Sequence, residues 1–155
     1  MQEERFELFT LLISEFEKDI QKIKAARTKA LGIKNVHALW LYLLYKNPDG
    51  LSAAQIAEKS RINRSLVSRE IDALADKGYV RTTEATGKRR YNWKFVLTQD
   101  GIALARQIGE IALEVQTYAD RDITQDELEQ FYTTLQKLKA NFSYITDTID
   151  KGEKK

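Results

Sequence analysis

The chain has 155 residues, 43% of them hydrophobic and 31% charged, with a formal net charge of +2. At about 100–200 residues per domain this predicts one domain over 1–155, long enough to bury a core without disulfide or metal staples. No cysteine and one histidine exclude a disulfide scaffold, a thiolate nucleophile, a zinc–thiolate site and any multi-histidine metal centre.

The opening MQEERFELF has no basic segment followed by an apolar one, and no apolar run approaches the ~18 residues of a membrane span. A cytoplasmic chain with no leader and no membrane partner is expected. Charge is unevenly spread. Residues 51–94 hold ten Lys/Arg against five Asp/Glu, a net of +5, between a first third at +1 and a last third at −4. A basic block inside a balanced chain is the footprint of a polyanion-binding surface.

In chain order, residues 2–29 carry Phe6, Phe9, Ile13, Phe16, Ile20 and Ile23 at alternating spacings of three and four. This is the seam of a helix that packs on another helix. Gly32 ends it. NVHALWLYLLYK (35–46) is apolar nearly all round and predicts a central buried helix, stopped by the turn Asn47-Pro48-Asp49-Gly50.

Leu51 opens a short third helix, capped by the Ser52/Gln55 box and stapled by Leu51 and Ile56. Asn63 caps a fourth over 64–77, and Gly78 stands at its left-handed C′ position. Tyr79–Thr83 and Tyr91–Leu97 read as two strands of a hairpin whose tip, EATGKRR, is basic. Thr98 caps a fifth helix to about residue 119. A Thr124/Glu127 box starts a sixth. It carries Leu128, Phe131, Leu135, Leu138, Phe142, Ile145 and Ile149, a second heptad seam.

The order short helix, three-residue turn, helix, strand, basic hairpin, strand carries the functional expectation. In a helix-turn-helix the second helix enters the major groove, and its N-terminal residues meet base edges. Here Leu66, Val67, Ile71 and Leu74 form one side of that helix. Arg64, Ser65, Ser68, Arg69 and Asp72 form the other, with Asn63 at its cap. Arg and Ser suit base edges and phosphates. Lys88, Arg89 and Arg90 at the hairpin tip suit a backbone or a narrow minor groove.

The segments LSAAQIAEKSRINRSLVSREIDALADKGYV and YNWKFVLTQDGIALA, with its Leu97-Thr98-x-x-Gly101 element, resemble the multiple-antibiotic-resistance regulator (MarR) family over nearly the whole chain. The resemblance implies a mainly α fold with a small β-hairpin wing. The winged helix-turn-helix would span 34–98, and dimerisation helices 1–30 and 120–150. It implies a homodimer on a pseudo-palindromic operator, a repressor in which Ser65, Ser68 and Arg69 read bases and the wing reaches the minor groove. Many members carry Asp-x-Arg in the wing; here that stretch is Gly87-Lys88-Arg89-Arg90, with no Asp to orient an arginine. The phenolic-acid regulator (PadR) relatives share the winged helix and stay open, as does a protein–protein interaction module using the same face.

The dimer seams would comprise Phe6, Phe9, Ile13 and Phe16 with Leu135, Leu138, Phe142 and Ile145. In related regulators small aromatic or amphipathic effectors bind between the dimer helices and the reading domain. His37, Trp40, Leu44 and Tyr118 are the candidates here, although a buried structural histidine and core aromatics are the competing account. Asp120, Asp122, Asp126 and Glu127 surround a helix start, where carboxylates offset the dipole. No phosphate loop, nucleophile elbow or dinucleotide fingerprint is present. No enzyme, metal or cofactor is expected.

Overall fold

The computed structural model describes residues 2–83 and 93–152. Among these residues, helices and short strands follow in the order α1 (Gln2–Ala30), α2 (Asn35–Lys46), β1 (Leu51–Ser52), α3 (Ala53–Ser60), α4 (Arg64–Asp76), β2 (Val80–Thr83), β3 (Lys94–Leu97), α5 (Gln99–Ala119) and α6 (Gln125–Gly152). The mainly helical winged architecture is as expected. The chain divides into two compact units, residues 1–112 and 113–155, with the boundary inside α5. Among the described residues no helix is long and apolar enough to cross a membrane.

The first unit holds the core. Trp40, Leu41 and Leu44 of α2 meet Ile56 of α3, Val67, Ile71 and Leu74 of α4, Val80 of β2 and Leu104 and Ala105 of α5. Three helices of a compact helix-turn-helix thus bury their apolar stripes against one another, the main favourable term in folding. The second helix departs from expectation. Its inner face is buried, but Leu39, Tyr42 and Tyr45 are exposed. A twelve-residue helix that is apolar all round still offers only one stripe to the neighbours of this unit.

The caps form as their side-chain chemistry requires. Ser52 Oγ accepts from the Gln55 N–H, and Gln55 Oε1 accepts from the Ser52 N–H, closing the box on α3. Leu51, expected to lead into this helix, instead makes a strand with Ser52. It pairs antiparallel with β3, Leu51 opposite Phe95 and Ser52 opposite Lys94. The predicted hairpin is therefore the larger part of a three-stranded sheet in the order β1-β3-β2, with Val80 opposite Leu97 and Thr83 opposite Lys94. Gly50 makes the extra pairing possible. Its φ is +82°, and a Cβ there would stand 2.8 Å from the Phe95 carbonyl oxygen, so only glycine lets the chain lie this close to β3.

The second unit comprises the end of α5, the turn at 120–124 and α6. Thr124 and Glu127 form their box: Glu127 Oε2 accepts from the Thr124 N–H at 2.8 Å, and Thr124 Oγ1 accepts from the Glu127 N–H. The Thr124 N–H, with a second hydrogen bond from the Thr124 hydroxyl, holds the Glu127 carboxyl below its ordinary pKa. Not one described residue of α6 is buried. In the first unit, α1 likewise leaves Phe6, Ile13, Phe16, Ile20 and Ile23 exposed.

Candidate nucleic-acid interface

The site is built on α4. Asn63 Oδ1 accepts from the Ser65 N–H at 2.8 Å and from the Ser65 hydroxyl at 2.7 Å. The cap satisfies one of the free N–H groups at the helix start. It also commits the Ser65 proton, so Ser65 is left with acceptor capacity towards a base, while the Asn63 NH2 group makes no hydrogen bond among the described residues. Val67, Ile71 and Leu74 anchor the inner side in the core. Arg64, Ser65, Ser68 and Arg69 are all exposed.

The sequence therefore sorts α4 as expected: one side packs, and the other presents a compact set of hydrogen-bonding groups at the N-terminal end. Arg61, just before α4, is exposed in a left-handed conformation, φ 55°. Arg81 on β2 and Lys94 on β3 are exposed as well. Lys88, Arg89 and Arg90 lie outside the described residues.

One inward residue of α4 was missed. Glu70 is only 8% exposed. Lys34 Nζ donates to both of its oxygens, at 2.9 and 2.7 Å, and His37 Nε2 stands 3.1 Å from Oε2. Arg69 Nε is 3.8 Å from Oε1, beyond hydrogen-bond reach. The Lys34 hydrogen bond is the largest cause of a Glu70 pKa below its ordinary value. A carboxylate buried among apolar groups persists only when it is paired and hydrogen-bonded in this way. The signal was present in the sequence: positions 67, 70, 71 and 74 share one helical stripe, so Glu70 had to point inward.

His37 is 2% exposed. Burial pushes its pKa below the ordinary 6.5, only partly opposed by Glu70. A hydrogen bond from Nε2 to the Glu70 carboxylate requires the ring proton on Nε2, since a carboxylate only accepts. Its Nδ1, like the indole N–H of Trp40, is buried with no hydrogen-bond partner among the described residues.

Of the four effector candidates, Trp40 and Leu44 are core residues, His37 also borders a cavity, and Tyr118 belongs to the second unit. The cavity, about 540 Å³, is lined by Ala25 and Thr28 of α1, by Ile33, Lys34 and His37, and by Lys77 among others. Of the dimer candidates, Phe6, Ile13, Phe16, Phe142 and Ile145 are exposed, whereas Phe9, Leu135 and Leu138 are half-buried. Among the described residues no cluster of His, Asp and Glu is arranged to hold a metal ion.

A model of the MarR family matches residues 31–90, from the end of α1 through α4 and beyond β2. The HTH-type transcriptional regulator PapX of Escherichia coli is 30% identical over 145 residues, spanning 91% of this chain and 86% of that protein. Two solved structures share the fold. The S. aureus MepR–DNA complex superposes with a TM-score of 0.75 at 21% identity, over 86% of this chain and 97% of that one. A putative MarR-family regulator from Listeria monocytogenes, complexed with 26mer DNA, gives 0.72 at 20% identity over 83% and 85%. The match over residues 31–90, the likeness to PapX over most of both chains and the shared fold agree: the chain belongs to the MarR family of winged-helix transcriptional regulators.

Proposed function

We propose that this protein is a homodimeric repressor that binds a pseudo-palindromic DNA operator. The observation that carries the reading is α4 itself: Val67, Ile71 and Leu74 are buried, while Arg64, Ser65, Ser68 and Arg69 stand exposed together at the helix start. That is the geometry of a helix anchored from behind and offered to a groove. Arg69 spans guanine O6 and N7, Ser68 and Ser65 serve adjacent edges, and Lys88, Arg89 and Arg90 of the wing meet the backbone or minor groove. Two of the similar folds were solved with DNA bound, which favours the same partner here.

The dimer rests on the exposed seams of α1 and α6. Apolar rows of this length on a monomer mark an interaction surface, and a second copy covers them in a two-fold arrangement. Two reading helices then lie about 34–36 Å apart, one turn of DNA. Residues 34–98 serve as the reader, and 1–30 and 120–150 as the clasp. Release by a small aromatic or amphipathic effector is the remaining part of the proposal. His37, which borders a cavity with Lys34 and Lys77, is the first candidate for its site; Trp40, Leu44 and Tyr118 are the other candidates. A cytoplasmic location goes with this role.

Selection of bound duplexes from random DNA tests the reading. The expected result is a two-fold motif of about 16–20 base pairs, with affinity falling by about 0.9 log units per log unit of salt for each phosphate neutralised. Retention of a single protein partner, with no DNA bound at moderate salt, would instead identify the face as a protein-interaction surface.

A further inference from the structure

Glu70 and Arg69 are neighbours in α4, yet they sit on opposite sides of a division of labour. Arg69 is 74% exposed in its side chain and faces outward with Ser65 and Ser68. The Glu70 carboxylate lies inward, but its Oε1 is only 3.8 Å from Arg69 Nε. An arginine beside a carboxylate ordinarily closes on it, because charge-assisted Arg–carboxylate hydrogen bonds are short and strong. Here that closure has not happened. Lys34, the N-cap residue just before α2, reaches across from 36 positions away and occupies both oxygens, and His37 takes a second site on Oε2.

We propose that Lys34 is a positioning residue for DNA reading: by satisfying the Glu70 carboxylate from the inside, it keeps Arg69 uncommitted and pointing at the groove. This rests on α4 being the reader. Among the described residues, Lys34 makes the one hydrogen bond to Oε1, and without it Arg69, at 3.8 Å, is the cation left beside that oxygen. A movement of about 1 Å brings the guanidinium to charge-assisted distance. Drawn back onto the inward-facing Glu70 carboxylate, the guanidinium leaves the outer side of α4 from which it would bridge the two acceptors of a guanine, so sequence discrimination falls while backbone attraction persists. Lys34 is suited to substitution because its own side chain is 65% exposed and removing its charge leaves the apolar core untouched.

Two readouts test this on the full-length protein. The first needs no DNA: the Arg69 Nε–H resonance, assigned by its loss in Arg69→Ala, exchanges rapidly with water in the parent. In Lys34→Gln it shifts and becomes protected. In Lys34→Arg, which restores a cation without touching the core, it returns to the parental state. The second is the affinity ratio between the selected duplex and a scrambled one of equal length. Arg69→Ala sets the floor. Lys34→Gln falls towards it by roughly tenfold, the discrimination expected of one bidentate base contact. Lys34→Arg and, where it folds, Lys34→Gln/Glu70→Gln recover the ratio.

An unchanged Arg69 signal in Lys34→Gln overturns the proposal, as does an unchanged ratio or a Lys34→Arg variant that behaves like Lys34→Gln. If the parent selects no DNA motif, the reading of α4 fails and the proposed role in DNA reading fails with it. The resonance then still reports whether Lys34 holds Arg69 and Glu70 apart.

Discussion

The Thr98 hydroxyl donates to the carbonyl oxygen of Gly78 at 2.6 Å, tying the start of α5 to the turn that ends α4. Thr98 Oγ1 in turn accepts from the Gly101 N–H at 3.1 Å, and the Thr98 N–H donates to the Tyr79 carbonyl at 3.0 Å. Gly101 is required beside it, because a Cβ there would run into the Tyr79 carbonyl oxygen. The Leu97-Thr98-x-x-Gly101 element is thus the knot that sets the exit of β3 against the exit of α4. Thr98→Val keeps the side-chain shape and loses both hydroxyl bonds, at about 1–2 kcal/mol in urea unfolding. Gly101→Ala forces backbone apart and costs more. The opposite order would show that the close approach is not what matters here.

Arg69→Ala is expected to cost about 1–3 kcal/mol of binding to the selected duplex and to relax one position of the motif. Lys88→Ala is expected to weaken all sequences alike and reduce the salt slope by about 1, as a phosphate contact does. Fluorescence anisotropy over a salt series separates the two. A sequence-selective loss at Lys88 would contradict its backbone role.

Trp40 offers a test of core energetics. It is fully buried, and its indole N–H has no hydrogen-bond partner among the described residues. Trp40→Ala removes a large side chain and is expected to cost about 3–5 kcal/mol. Trp40→Phe deletes an unsatisfied donor along with some packing area, two effects of opposite sign, and is expected to cost well under half as much. Thermal or urea unfolding of the two variants side by side decides it.

Stability should fall in acid in two stages. His37 has a folded pKa lowered from 6.5 by burial, with Glu70, Lys34 and Lys77 as its charged surroundings. The unfolded chain therefore takes up the proton first, and stability is lost as the pH drops below 6.5 towards the folded value. Glu70 is lowered from 4.5 chiefly by the Lys34 hydrogen bond. Its contribution is present above 4.5 and fades as the pH falls through its folded pKa. His37→Gln should abolish the first stage and leave the second. A variant with the parental profile above pH 5 would rule out His37 as the source.

The dimer seams are testable by charge. Phe16 and Ile145 are 60% and 52% exposed within one protomer, so Phe16→Glu and Ile145→Glu remove no buried contact there. Sedimentation is expected to show the parent at twice the 17.9 kDa chain mass and the variants shifted towards the single chain, with DNA affinity falling alongside. Undiminished dimers in both variants would place the interface elsewhere.

What could be read without coordinates is whatever depends on groups a few positions apart. The Ser52/Gln55 and Thr124/Glu127 boxes, the Asn63 and Thr98 caps, the left-handed Gly78 and the split of α4 into packed and exposed sides all form as their spacing dictates. Each is a contact within one helical turn or a fixed phase of 3.6 residues. The family, too, was legible, in LSAAQIAEKSRINRSLVSREIDALADKGYV and YNWKFVLTQDGIALA.

Other features needed the chain brought back on itself. Leu51 belongs to the sheet because β3, over forty positions later, offers it a partner and Gly50 permits the approach. The outer face of α2, with Leu39, Tyr42 and Tyr45, is exposed because no described residue of its unit covers it. Glu70 is stable where it lies only because Lys34 and His37 arrive from 36 and 33 positions away. Local chemistry sets which turns and caps form, since their partners are always near. A buried charge or an added strand is decided by which distant segment comes within hydrogen-bond reach, and that distance exists only once the core has closed.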